Sequence, residues 1–269
     1  MSIRDAKILK CVPNALTIGN SLCGFIAILW TLRAYEKSGN PSAMLWVFVV
    51  SSWLIFAAMI FDALDGLAAR AFHAASMTGI QMDSLADMVT FGVAPATLVA
   101  VLTNNLRGEL KPMQMLVVYA LCSIYLGCAA LRLAIYNVKA ITEHKNSKSF
   151  SGLPSPGGAA AICVTIFFVY ALSTKDNSHA ILQRLVFILP GYAALLGLLM
   201  VSNIPYLHVG KWLVTMRRSY RKLLLFVVLM VLVAIFRVYA LAAIVTGYIL
   251  SGPLSLLLPK KLRCRIFED

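Results

Sequence analysis

This sequence is poor in charge, and poorer still in acid. Only 13% of its 269 residues are Asp, Glu, Lys or Arg, with 11 acidic against 24 basic. A soluble domain carries about a quarter charged residues, so an ordinary water-soluble fold is excluded. Cysteine is sparse and badly spaced for chemistry: none of the six forms a C-x-x-C pair, and most lie in apolar runs. They are read as inert thiols rather than metal ligands or disulfides. The four histidines include no H-x-K-x4-D frame, so nothing supports a covalent phosphohistidine route. Internal repeats, low-complexity tracts and a separate soluble domain are also missing. The first ten residues mix charge with apolar side chains and precede a long hydrophobic stretch, which does not fit a cleavable signal peptide.

What is present is hydrophobic: 60% of residues are apolar and the mean hydropathy is +0.82. The net charge of +13 would point a soluble protein toward nucleic acid. Here it fits the Lys and Arg of cytoplasmic loops, held to anionic membrane lipids by about 1 kcal/mol per well-placed cation. No nucleic-acid partner is expected.

The hydropathy pattern predicts an all-α, polytopic membrane bundle. Residues 1–12, with Arg4, Lys7 and Lys10, form an interfacial amphipathic segment. A transmembrane core follows over 13–206, with spans near 15–34, 43–64, 80–102, 114–136, 157–172 and 182–201. Then come a basic cytoplasmic loop (207–222), a hydrophobic region (223–251) and a basic cytoplasmic tail (252–269). If the N-terminus is inside, a basic tail on the same side requires an even number of crossings. The hydrophobic region is therefore expected to be a short pair turning near Arg237, each arm about 12–14 residues, added to six core helices. Pro95 and Pro190 fall inside spans, where each removes a backbone donor.

Against this background four aspartates stand out, in the frame D-x-x-D-G-x-x-A-R-x8-G-x3-D-x3-D: Asp62, Asp65, Asp83 and Asp87. One carboxylate inside a bilayer-spanning helix costs about 2.5–3.5 kcal/mol and normally marks function. Spacings of three and four put Asp62 with Asp65, and Asp83 with Asp87, on shared helix faces. Two facing pairs make a cage for hard divalent ions such as Mg²⁺ or Mn²⁺. Gly66 and Ala69 leave room for a phosphate or planar group beside the backbone, and Arg70 offers a fork of donors matched to phosphate. Gly79 lets two helices approach closely. Two dications about 3.5–4 Å apart are a device for phosphoryl displacement. The same carboxylates could instead line a cation transport pathway, but the small-residue gap and the arginine favour phosphoryl chemistry.

The frame from Asp62 to Asp87 resembles the signature of the CDP-alcohol phosphotransferase family, with every specified position filled. Segments beginning at Pro13, Asp83, Ala130, Ser151 and Leu199 are similar to the family's bacterial, membrane-integral phosphatidylserine synthases. The resemblance implies that Asp62, Asp65, Asp83 and Asp87 hold two divalent cations, Mg²⁺ or Mn²⁺, and that Asp87 is also the general base. It implies that Gly66, Ala69, Arg70, Ser76, Asn14 and Thr17 surround the CDP moiety. For Asn14 and Thr17 an N-cap at the start of the first span is an equally good reading. The implied partners are CDP-diacylglycerol, L-serine, membrane lipids and a second copy in a homodimer. The implied location is a bacterial cytoplasmic membrane with the site facing the cytoplasm. Arg132 is the candidate for the serine carboxylate, with Asn137 and Ser155 as further acceptor contacts. Glycerol 3-phosphate or inositol phosphate are the alternative acceptors, although the shortage of cations near the site disfavours them.

Overall fold

The computed structural model describes residues 3–37, 39–71, 76–107, 111–142, 152–173, 179–206 and 238–255. Those residues form α1 (Ile3–Leu32), a short 3-10 turn (Tyr35–Lys37), α2 (Pro41–Ala71), α3 (Met77–Asp87), a π-helical turn (Met88–Val93) and α4 (Ala94–Arg107). They continue as α5 (Pro112–Thr142), α6 (Ser155–Ser173), α7 (His179–Val201) and α8 (Val238–Ser255). The stretches Val12–Lys37, Pro41–Ala71, Met77–Leu106, Pro112–Val138, Ser155–Ser173 and Val238–Ser255 are each long and apolar enough to cross a bilayer. The protein is a multi-pass membrane helix bundle, as its hydropathy predicts. Lipid-facing positions such as Trp53, Met113, Phe187 and Ile188 are exposed, as a bilayer solvent requires.

Two details differ from expectation. Helix α1 runs unbroken from Ile3 through Pro13, so Asn14 sits in mid-helix and is not an N-cap. At the other end, α8 has 18 residues, about 27 Å at 1.5 Å per residue, rather than an arm of 12–14. It passes Ser251 and continues through Pro253. A proline there leaves the carbonyl four residues back without its helical donor. Tyr206 supplies one, its hydroxyl donating to the Ile249 carbonyl at 3.2 Å. The first arm of the expected pair, 223–236, lies outside the described residues.

The same device recurs in the third span. Pro95 would orphan the Phe91 carbonyl, and the buried Tyr125 hydroxyl donates to it at 2.8 Å. A π-helical turn precedes Pro95, and it begins directly after Asp87. Such turns recur at functional sites.

Lipid tails are as apolar as leucine, so helix association here depends on close packing and polar contacts. Helix α1 and the turn after it present a stripe at spacings of four and three: Pro13, Thr17, Asn20, Gly24, Ala27, Thr31 and Ala34, all buried. Thr31 bonds to Ser51 of α2 at 2.9 Å. At Gly24 a Cβ would collide with the Thr90 side chain and stand 2.8 Å from its Cα. The missing side chain therefore lets α1 cross the π-helical turn in backbone contact. Gly152, with φ of 93°, turns the chain into α6; its N–H donates to Ile204 O at 2.8 Å, and Leu153 N–H to Leu199 O at 3.0 Å. The segments around Ser151 and Leu199 are thus one spatial unit. Of the described cysteines, Cys122 and Cys163 are buried and Cys23 and Cys128 half-buried, all as free thiols.

Candidate active site

Helices α2 and α3 both pack on α1, and each carries two of the four aspartates to that neighbourhood. Asp62, Asp83 and Asp87 converge, each offering a carboxylate oxygen within 4.8 Å of the others. Asp65 turns toward α1, where the Thr17 hydroxyl shares its one proton between Asp65 Oδ2 at 2.9 Å and the Pro13 carbonyl at 3.0 Å. Asp87 is gripped from α1 as well: Asn20 Nδ2 donates to its Oδ1 at 3.1 Å.

Such crowding of negative charge needs compensation. Among the described residues the one ion pair is Arg33–Glu36, in the turn after α1 and away from the aspartates. Asp83 Oδ1 and Asn20 Oδ1 are buried with no hydrogen-bond partner. Hard oxygen donors, converging in a low-dielectric setting without a paired cation, are what a divalent ion with oxygen ligands calls for. The residues fit a metal centre.

Beside the carboxylates lies a cavity of about 120 Å³, lined by Pro13, Asn14, Thr17, Asp65, Gly66, Ala69, Ser76, Gly79, Ile80 and Asp83. Five of the six residues expected around CDP are in that lining. The sixth, Arg70, is exposed at the end of α2, and its Nη2 stands 4.0 Å from where a Cβ on Gly66 would be. Its head thus lies over the glycine gap. Ser76 has a second task as N-cap of α3, accepting from Gly79 N at 3.0 Å. A Cβ on Gly79 would stand 3.1 Å from Ser76 Oγ and 3.8 Å from Asn14 Oδ1, so the glycine keeps this corner of the cavity open.

The acceptor candidates divide. Arg132 of α5 donates through Nη1 to Ser155 Oγ at 2.9 Å, and Ser155 is buried at the first turn of α6. Asp87 and Tyr248 lie within electrostatic reach of the Arg132 guanidinium. Asn137 does not join them. Its Oδ1 accepts from Ser84 at 2.8 Å, and this bond ties α5 to α3. Asn20 and Tyr248 belong to the site's surroundings without having been singled out from the sequence. The signal for Asn20 was the small-and-polar stripe of α1, in which the sole amide falls one turn from Thr17. Tyr248 had no local signal, because its ring meets Tyr206 and Gly157, both distant in sequence.

Residues 10–198 match the family model described as CDP-alcohol phosphatidyltransferase. The chain is 31% identical over 202 residues to the CDP-diacylglycerol–serine O-phosphatidyltransferase of Helicobacter pylori (strain J99), covering 74% of this chain and 73% of that protein. It is 33% identical over 186 residues to the protein of that name in Bacillus subtilis, covering 65% and 89%. Against that of Methanocaldococcus jannaschii it is 36% identical over 177 residues, covering 65% and 73%. A matched segment that takes in all four aspartates, the cavity beside them and Arg132 places this chain in the CDP-alcohol phosphatidyltransferase family.

Proposed function

We propose that the protein transfers the phosphatidyl group of CDP-diacylglycerol to L-serine, forming phosphatidylserine and CMP. The observation that carries this is the convergence of Asp62, Asp83 and Asp87 beside a cavity lined by Gly66, with the Arg70 head over that glycine and the Arg132–Ser155 pair within electrostatic reach of Asp87. The names of the relatives support serine as the acceptor.

In this reading the CDP head occupies the cavity against Gly66, Ala69, Ser76, Asn14 and Thr17, while the acyl chains stay in the lipid. Two divalent cations, Mg²⁺ or Mn²⁺, held by Asp62, Asp65, Asp83 and Asp87, supply charge compensation for the pyrophosphate. Serine's carboxylate pairs with the Arg132 fork. Its hydroxyl oxygen bonds to the phosphorus that carries diacylglycerol as the hydroxyl proton passes to the Asp87 carboxylate. The bond from that phosphorus to the bridging oxygen breaks, and CMP leaves with the electron pair. Arg70 offsets the charge that develops on it. Positioning and electrostatics account for most of the acceleration, as in other phosphoryl transfers.

Residues 13–206 are the catalytic core, and the site faces the cytoplasm. The ends of α2, α5 and α7 and the start of α6 lie on one side of the bundle, and Lys and Arg concentrate in the flanking segments 1–12, 139–148 and 207–222. A homodimer in a bacterial cytoplasmic membrane completes the picture.

The test uses purified protein in detergent with CDP-diacylglycerol and Mn²⁺ or Mg²⁺, offered serine, glycerol 3-phosphate, inositol phosphate and choline in turn. CMP release that requires serine is expected. Preference for another acceptor would refute the serine assignment. Divalent-ion flux across vesicles without CDP-lipid would refute the enzyme reading in favour of transport.

A further inference from the structure

Helix α8 lies outside the family-matched residues 10–198, yet it packs on α6, the helix that begins with Arg132's hydrogen-bond partner. The two helices run antiparallel. Near one end Tyr239 meets Phe168 edge-on at 6.4 Å. Near the other, Tyr248 Cε1 lies 3.2 Å from where a Cβ on Gly157 would stand. Gly157 is two residues beyond Ser155, so the tyrosine ring covers the first turn of α6.

The register of that contact is pinned by Tyr206. Its hydroxyl caps the Ile249 carbonyl freed by Pro253, its ring fills the space a side chain at Gly252 would need, and it packs on Tyr248 with ring centroids 5.8 Å apart. These contacts fall on consecutive turns of α8. Sliding α8 by one residue would break all of them.

A guanidinium recognises a carboxylate best when its plane is fixed and two parallel donors face the two oxygens. Ser155 holds one nitrogen of Arg132, and a single hydrogen bond does not by itself fix a guanidinium plane. The Tyr248 ring stands beside the same first turn of α6, where it can limit rotation of that plane. We propose that Tyr248, carried by α8 and seated against Gly157, is a positioning residue for Arg132 and thereby sets the affinity for a carboxylate-bearing acceptor. This rests on the serine reading given above. It assigns the C-terminal helix a part in substrate selection rather than in membrane anchoring alone.

Two variants approach the contact from opposite sides. Tyr248→Leu removes the ring, and Gly157→Ala pushes it away from α6. Rates of CMP release by the purified full-length protein are measured while L-serine and CDP-diacylglycerol are varied separately. In both variants KM for serine should rise about tenfold, the scale of one hydrogen bond to a charged group. KM for CDP-diacylglycerol and kcat should stay within about twofold of wild type, because the cavity and the aspartates are untouched. A helix that merely braces the bundle would instead lower kcat, or raise both KM values together, and either pattern would overturn the proposal. An unchanged serine KM in a variant that elutes as a single sharp peak would also overturn it. Wild-type protein that releases no CMP on adding serine would sink the acceptor assignment itself, a result distinguishable from the others because it needs no variant.

Discussion

Asn20 of α1 and Asp87 of α3 are bound to each other, amide Nδ2 to carboxylate Oδ1, at 3.1 Å. Asn20 is fully buried, and its own carbonyl accepts from the Thr90 hydroxyl at 3.1 Å. The turn of α1 that carries the donor is therefore tied to the π-helical turn that follows Asp87.

Asn20→Leu keeps the branching of the side chain, at a larger volume, and removes the donor. A hydrogen bond to a charged group contributes about 1.5–3 kcal/mol, so turnover should fall about 10- to 100-fold. Serine-dependent CMP release at saturating substrate measures this. Wild-type turnover in the variant would mean that Asp87 needs no such anchor.

Asp87→Asn should lose turnover by about 10²–10⁴-fold, the usual contribution of a positioned general base. The protein should still elute from size exclusion like the wild type, since the amide occupies the same space. Retained turnover would remove Asp87 from the role of base.

Arg70→Lys replaces a planar fork with a point charge. KM for CDP-diacylglycerol should rise about tenfold while KM for serine stays put. Equal shifts in both would show that Arg70 does not address the nucleotide-bearing substrate specifically.

Tyr125→Phe leaves the Phe91 carbonyl without its donor. The loss should be about 1 kcal/mol, since polar contacts between membrane helices are modest. In a Pro95→Ala background the backbone N–H returns, and the same substitution should cost less. Thermal unfolding of the four proteins in detergent reads out the difference. Equal losses in both backgrounds would show that the hydroxyl does not stand in for the missing amide.

Much of this was legible in the residues. Runs of apolar side chains about 20 long have one solution in a bilayer, so the first five spans appear close to where hydropathy put them. The aspartate pairs follow from helical periodicity alone. What periodicity cannot show is which way a side chain turns once helices pack. Asp65 shares a face with Asp62, yet it is drawn toward α1 by Thr17, and Asn137 is taken up by Ser84 rather than by the cavity. Asn14 reads as a helix cap from its place at the start of the first apolar span; the helix instead begins earlier and continues through Pro13. The length of α8 was hidden for the opposite reason. Pro253 reads locally as a stop, and the hydroxyl that lets the helix pass through it comes from Tyr206, 47 positions earlier in the numbering.

The account depends on Asp62, Asp83 and Asp87 holding a divalent cation together. Titrating detergent-purified protein with Mn²⁺ and following free ion by electron paramagnetic resonance tests that directly, without reference to activity. The expected result is saturable binding by wild type that is lost in Asp62→Asn and in Asp83→Asn. Wild-type protein that takes up no Mn²⁺, or variants that take up as much as wild type, would contradict it.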